Sequence, residues 1–257
     1  MKTVSSAPDA RATWPGLLLA FAAVWPVGAS AYRPFNSTDA AVAAKGELEL
    51  EVGPLGYLVQ GPDRTLVAPS VVVNWGFADR CEAVLEGRQF VQLGTASREP
   101  RLRVEDTVLS LKSVLREGSL QEKTGLSVAT ELGALLPTIH GDSGVGAQGA
   151  VIVSHRWSEL TLHLNAAAAW TRAHRLGLFG GVIFEAHDAW AVRPVAEVFV
   201  EGERDVPTVF SGLAGAIWRV LDAVSVDAGL RLARAGAVNT TELRSGLTWA
   251  FSVRSPR

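Results

Sequence analysis

Residues 241–253 read TELRSGLTWAFSV, and the order of side chains in this run decides the fold. Leu243, Ser245, Leu247, Trp249, Phe251 and Val253 share one parity, and Glu242, Arg244, Gly246, Thr248, Ala250 and Ser252 share the other. Successive side chains of a strand point to opposite faces, so a strand sorts these residues into one apolar and one polar face. A helix would scatter them around a 3.6-residue period.

The same alternation extends back through the chain. In 190–201, Trp190, Val192, Pro194, Ala196, Val198 and Val200 oppose Arg193, Glu197 and Glu201. In 224–234, Val224, Val226, Ala228, Leu230 and Leu232 oppose Ser225, Asp227 and Arg231. In 160–171, Leu160, Leu162, Leu164, Ala166, Ala168 and Trp170 oppose Thr161, His163, Asn165 and Thr171. Twelve such strands are predicted, near 46–53, 65–75, 80–91, 103–116, 125–136, 145–157, 160–172, 174–186, 190–201, 208–219, 223–234 and 241–253. The fourth is the least regular, because Asp106, Ser110 and Lys112 share a parity with Val108.

A soluble sandwich or barrel turns its apolar face inward, whereas a membrane barrel turns it outward to lipid. Four features favour the membrane form. Strands of about 10–13 residues suit a tilted crossing of the hydrocarbon layer and exceed the usual globular length of about 5–6. The strand count is even, as for bacterial single-chain barrels. Short turns (76–80, 158–159, 187–189, 221–223) alternate with longer links (53–64, 93–102, 137–144, 202–207, 235–240) along most of the chain. Trp75, Trp157, Trp190 and Trp218 fall beside the short turns, with Phe90, Trp170 and Phe210 toward the other ends. Indoles at one level form the aromatic girdle of a membrane interface. The expected fold is all-β: a transmembrane antiparallel up-and-down β-barrel of about twelve strands, closed because lipid tolerates no open sheet edge.

The N-terminus reads as an export signal. Lys2 and Arg11 give a positive start, residues 16–27 are apolar, and Ala29-Ser30-Ala31 matches an A-x-A cleavage pattern. Residues 1–31 are therefore expected to be a signal peptide cleaved after Ala31, residues 32–44 an irregular segment, and residues 45–257 the barrel. The expected location is the outer membrane of a Gram-negative cell, with outer-membrane lipid, the barrel assembly machinery and a small-molecule solute as partners. The net charge of −2 gives no basic field for nucleic acid. Cys81 is the only cysteine, which excludes an internal disulfide and a cysteine-based zinc site. No phosphate-loop or dinucleotide fingerprint occurs, so neither cofactor nor nucleotide-driven pumping is expected.

Gly141-Asp142-Ser143-Gly144, beside His140, spells the run around a trypsin-like nucleophile. It falls in the predicted link between the fifth and sixth strands, where turns select these residue types. No partner motif supplies a histidine and an aspartate, so a loop is expected and no catalytic residue is assigned. A barrel lipid hydrolase would need His155 or His163 paired with a serine, and no serine partner is evident at strand spacing.

Parity places fourteen charged groups in the lumen: Glu47, Glu49, Glu82, Glu86, Arg88, Lys112, Glu131, Glu185, Arg193, Glu197, Asp227, Arg231, Glu242 and Arg244. Both signs are present, so strong ion selectivity is not expected. These groups either serve transport or form paired networks that only hold the barrel together. Residues 32–44 are expected to fold into the lumen as a partial plug, with Arg33 and Asp39 meeting wall charges.

Three stretches resemble a family of Gram-negative outer-membrane barrels, transporters related to the phenol meta-cleavage pathway protein. They are RPFNSTDAAVAAKGELELEVGPLGY (33–57), NWGFADRCEAVLEG (74–87) and ELGALLPTIHGDSG (131–144). The resemblance implies passage of small, aromatic or apolar molecules. One departure is the C-terminus, where Phe251 is followed by SVRSPR instead of closing the chain on an aromatic residue. The readings carried forward are a passive channel, a side-chain-filled barrel without transport, and a barrel lipid hydrolase.

Overall fold

The computed structural model describes residues 33–94 and 100–253. The expected signal peptide and its cleavage site, and the tail after Val253, lie outside the described residues.

Twelve antiparallel strands close into one barrel, each paired with its neighbours in sequence and β1 with β12. They are β1 Glu47–Gln60, β2 Asp63–Ala78, β3 Cys81–Gln92, β4 Leu102–Arg116, β5 Ser127–Leu135, β6 Gly146–Arg156, β7 Leu160–Trp170, β8 Leu176–Ala186, β9 Val192–Glu203, β10 Val209–Leu221, β11 Val224–Ala235 and β12 Val238–Ser252. Every predicted strand has its counterpart. At about 3.3 Å per residue, a tilted strand of this length spans roughly the 30 Å of a hydrocarbon layer.

Burial alternates in the sense opposite to that of a soluble protein. Along β12, Glu242, Arg244, Gly246, Thr248 and Ala250 are buried, while Leu243, Leu247 and Trp249 are exposed. Leu132 and Phe210 are each 64% exposed. Leu109, Leu111, Val151, Leu178, Val198 and Leu232 add to the same outer apolar belt. Water would leave this continuous surface strongly unfavourable, whereas lipid matches it. The irregular fourth strand obeys the same sorting: Val108, Ser110, Lys112 and Val114 all face inward.

Two links differ from expectation. The stretch 53–64 is strand on both sides of a two-residue turn at Gly61 and Pro62. A register shift between Val52 and Leu55 absorbs Pro54, which cannot donate to the ladder. Likewise 235–240 contains only a two-residue turn, at Gly236 and Ala237. The alternation of short and long links therefore weakens. The rim holding the start of β1, called the lower rim below, also carries a ten-residue link, 117–126, as long as 136–145 on the opposite, upper rim. That lower link contains a short 3-10 turn, Ser119–Gln121.

Trp75, Trp157, Trp190 and Trp218 lie at the lower rim, each about half exposed, and Trp249 beside Phe251 adds a fifth indole there. Trp190 also borders the cavity at that end. Trp170 sits at the upper rim, stacked on His174 at 6.4 Å.

Candidate functional site: the lumen and its N-terminal segment

Residues 33–46 run from the middle of the lumen down to the lower rim, where Gly46 donates to the Gly76 carbonyl at 2.6 Å. The segment has no regular secondary structure, so its backbone polar groups must find partners on the wall. Glu197 of β9, 0% exposed, accepts from the amides of Asn36 (2.8 Å) and Ser37 (2.7 Å). Asn165 of β7 accepts from the Thr38 amide at 3.1 Å and donates to the Thr38 carbonyl at 2.7 Å. Ser154 of β6 accepts from the Ala40 amide at 3.0 Å, and Glu82 of β3 from the Ala43 amide at 2.7 Å. Glu47 accepts from the Ala44 amide at 3.1 Å. A carboxylate facing two amides forms charge-assisted bonds, about twice as strong as neutral ones.

Side chains of the segment reach charged wall groups as well. Arg33 donates to the Ser70 hydroxyl (2.7 Å) and the Ser245 carbonyl (3.0 Å), with its Nε 3.7 Å from Asp227. Asp39 lies 3.4 Å from Lys112, which is 3.5 Å from Glu82 and donates to Thr38 Oγ1 at 3.2 Å. Arg244 donates to the Pro34 carbonyl (2.8 Å) and Asn36 Oδ1 (2.6 Å). Phe35 packs on Ile183, Val195, Leu213 and Ile217, inward apolar residues of β8, β9 and β10. Ala40 packs with Ala129 and Ile152, and Leu120 from the 117–126 link closes over them. Gln121 of that link donates to the Ala40 carbonyl at 2.9 Å.

Inward-facing glycines make room for the segment. A methyl group at Gly76 would collide with the carbonyls of Ala43 and Ala44, and one at Gly246 with Arg33 and Asp227. A wall of side chains at these positions would push the segment away.

The remaining lumen charges pair on the wall itself. Arg193 lies 3.2 Å from Glu185, and Arg231 lies 3.2 Å from Glu242 and 3.6 Å from Glu201. Arg88 lies 3.8 Å from Asp106, Arg244 lies 2.8 Å from Glu242, and Ser110 donates to Glu131. Glu49 is buried, and Glu86 lines the upper cavity. All fourteen charged positions singled out by parity face inward. Glu51, buried on the same face of β1 and accepting from Asn74 at 3.1 Å, belongs with them, as does Glu201.

The segment divides the lumen into two cavities. The upper one, about 460 Å³, is lined by Phe35, Phe179, Glu86 and Arg88 among others. The lower one, about 620 Å³, opens between His163, Glu185, Arg193 and Trp190.

The histidines correct one expectation. Ser154 and His163 are direct cross-strand partners, with Oγ 2.8 Å from Nδ1, and Glu185 lies 3.5 Å from Nε2. A serine partner for His163 therefore exists. Ser154 is 1% exposed, though, and the Ala40 amide occupies its oxygen. With the segment docked, a substrate carbonyl has no approach to it, and the trio holds the segment. His155 has Ser119 Oγ 3.3 Å from its Nδ1 at the lower rim. Ser143 is exposed in the upper link, on a turn closed by Thr138 donating to the Asp142 carbonyl at 2.8 Å.

No protein-family model and no curated protein matches the chain. Among solved structures, it is similar to the KdgM porin in complex with disordered oligogalacturonate, with TM-score 0.53 and 9% identity over 79% of this chain and 99% of that one. It is similar also to an outer-membrane channel from Pseudomonas putida F1, with TM-score 0.56 and 10% identity over 82% of this chain and 96% of that one. By architecture, then, the chain is a closed antiparallel barrel of the outer-membrane kind.

Proposed function

We propose that this protein is a passive outer-membrane channel for small molecules, with residues 33–46 as a plug that must shift for the lumen to conduct. The observation that carries the reading is the division of one lumen into two water-accessible cavities, about 460 and 620 Å³, by a segment without secondary structure. A barrel built only as a solid support would have no need of cavities on both sides of a detachable strip. The plug is attached by side-chain contacts and shares no ladder with the wall beyond its last residues, so it can leave without opening the barrel. The resemblance to transporters related to the phenol meta-cleavage pathway protein supports small aromatic or apolar solutes. The inward Phe35, Phe179 and Phe199 offer such solutes a partly apolar lining.

Solute uptake and single-channel current tests this reading. The mature chain 32–257 and a variant lacking residues 32–44 are folded into liposomes and planar bilayers, with folding checked by heat-modifiable migration. The channel reading predicts restricted passage in the first and larger passage in the second. Equal passage would remove the plug. No passage through either folded barrel would establish a filled barrel without transport.

A further inference from the structure

We infer that the lumen becomes cation-selective when its N-terminal segment leaves, so that the favoured permeant of the open state is a small cation rich in hydrogen-bond donors. This rests on the channel reading and names the charge class of what passes.

Wall and segment share several polar partners. Glu197 accepts from the Asn36 and Ser37 amides, at 2.8 and 2.7 Å, and Glu47 from the Ala44 amide at 3.1 Å. Asp227 has the Arg33 guanidinium at 3.7 Å. When the segment departs, each of these three carboxylates loses that donor. The two wall cations that touch the segment behave differently. Lys112 loses Asp39 but keeps Glu82 at 3.5 Å, and Arg244 loses Pro34 and Asn36 but keeps Glu242 at 2.8 Å. Departure therefore uncovers anions and leaves the cations paired.

The donors that the segment presents describe the missing ligand. Peptide N–H groups and a guanidinium occupy these carboxylates, as the N–H groups of an ammonium or the shell of a hydrated metal cation would. Arg193, Arg231 and Arg88 give no counterweight, since they lie beside Glu185, Glu201 and Asp106 respectively. Carboxylates on a pore wall that have lost their donors draw cations in and disfavour anions. With the segment docked, these three carboxylates are held by its donors, and whatever current leaks past it should discriminate less.

The test is the reversal potential in a tenfold potassium chloride gradient across planar bilayers, repeated with ammonium chloride. Three folded proteins are compared: the mature chain, the variant lacking residues 32–44, and that variant carrying Glu47→Gln, Glu197→Gln and Asp227→Asn. The deletion variant should favour potassium and ammonium over chloride by about fivefold, and the triple substitution should lower that ratio markedly. A deletion variant that conducts with no cation preference, or with one undiminished by the triple substitution, overturns the inference and leaves the channel reading standing. A folded deletion variant that passes no ion overturns both.

Discussion

Substituting Glu197 by alanine should loosen the plug while sparing the barrel. Its two oxygens, 0% exposed, accept the amides of Asn36 and Ser37 at 2.8 and 2.7 Å. Each charge-assisted bond contributes about 1.5–3 kcal/mol. In Glu197→Ala the docked segment keeps two buried N–H groups without acceptors, whereas the undocked segment hydrates them. Part of the loss is offset because a buried carboxylate no longer needs desolvation. The net shift toward the undocked state is about 3 kcal/mol, roughly a hundredfold in the open-to-docked ratio. The strand ladders of β9 with β8 and β10 are untouched, so heat-modifiable migration should stay that of a folded barrel. Single-channel recording reads the effect directly, as long openings where the parent shows brief or no ones. Glu197→Gln, which keeps one acceptor and turns an amide toward the other N–H, should fall between the two. An alanine variant whose open probability equals the parent's would refute the assignment of Glu197 as the clamp.

Other perturbations follow from the same contacts. Ala40→Cys with Ser154→Cys, in a Cys81→Ser background, should form a bridge on oxidation, because the Ala40 amide lies 3.0 Å from Ser154 Oγ. Added to Glu197→Ala, the oxidised bridge should abolish the long openings and a reductant should restore them, read in the same bilayer. Gly76→Ala should raise conductance although it removes no polar group, because its methyl group collides with the segment at Ala43 and Ala44. Val198→Lys, at the outward centre of β9, should cost about 2–4 kcal/mol of stability in lipid by urea titration.

The strands and their sorting were readable because period-two alternation is a local property. TELRSGLTWAFSV carries its in-and-out assignment within thirteen residues. The extension of β1 through Gly53, Pro54 and Gly56 was not readable, because those residue types usually mark turns. Only closure against β12 and β2 holds them in strand. The fourteen lumen charges followed from parity, and Glu51 was within reach of the same rule as Glu47 and Glu49. The pairing of Ser154 with His163 was also within reach, since both positions are equidistant from the centre of the 158–159 turn. What no local pattern carries is the path of residues 33–46. Asn36 meets Glu197 across 161 positions and Arg33 meets Ser245 across 212, through backbone atoms that are the same in every residue. The glycines that make space for it read in sequence as ordinary weak points of a strand.

Fluorescence quenching by brominated lipid tests the inside-out sorting on which everything else is built. The chain from residue 32 onward, folded into bilayers with bromine at a series of acyl depths, should lose much of its tryptophan emission. The loss should be greatest for the shallow positions, where Trp75, Trp157, Trp170, Trp218 and Trp249 sit at the two rims. Emission unaffected by bromine at every depth would mean that these indoles do not touch hydrocarbon, and that the leucine face of each strand is turned to something other than lipid.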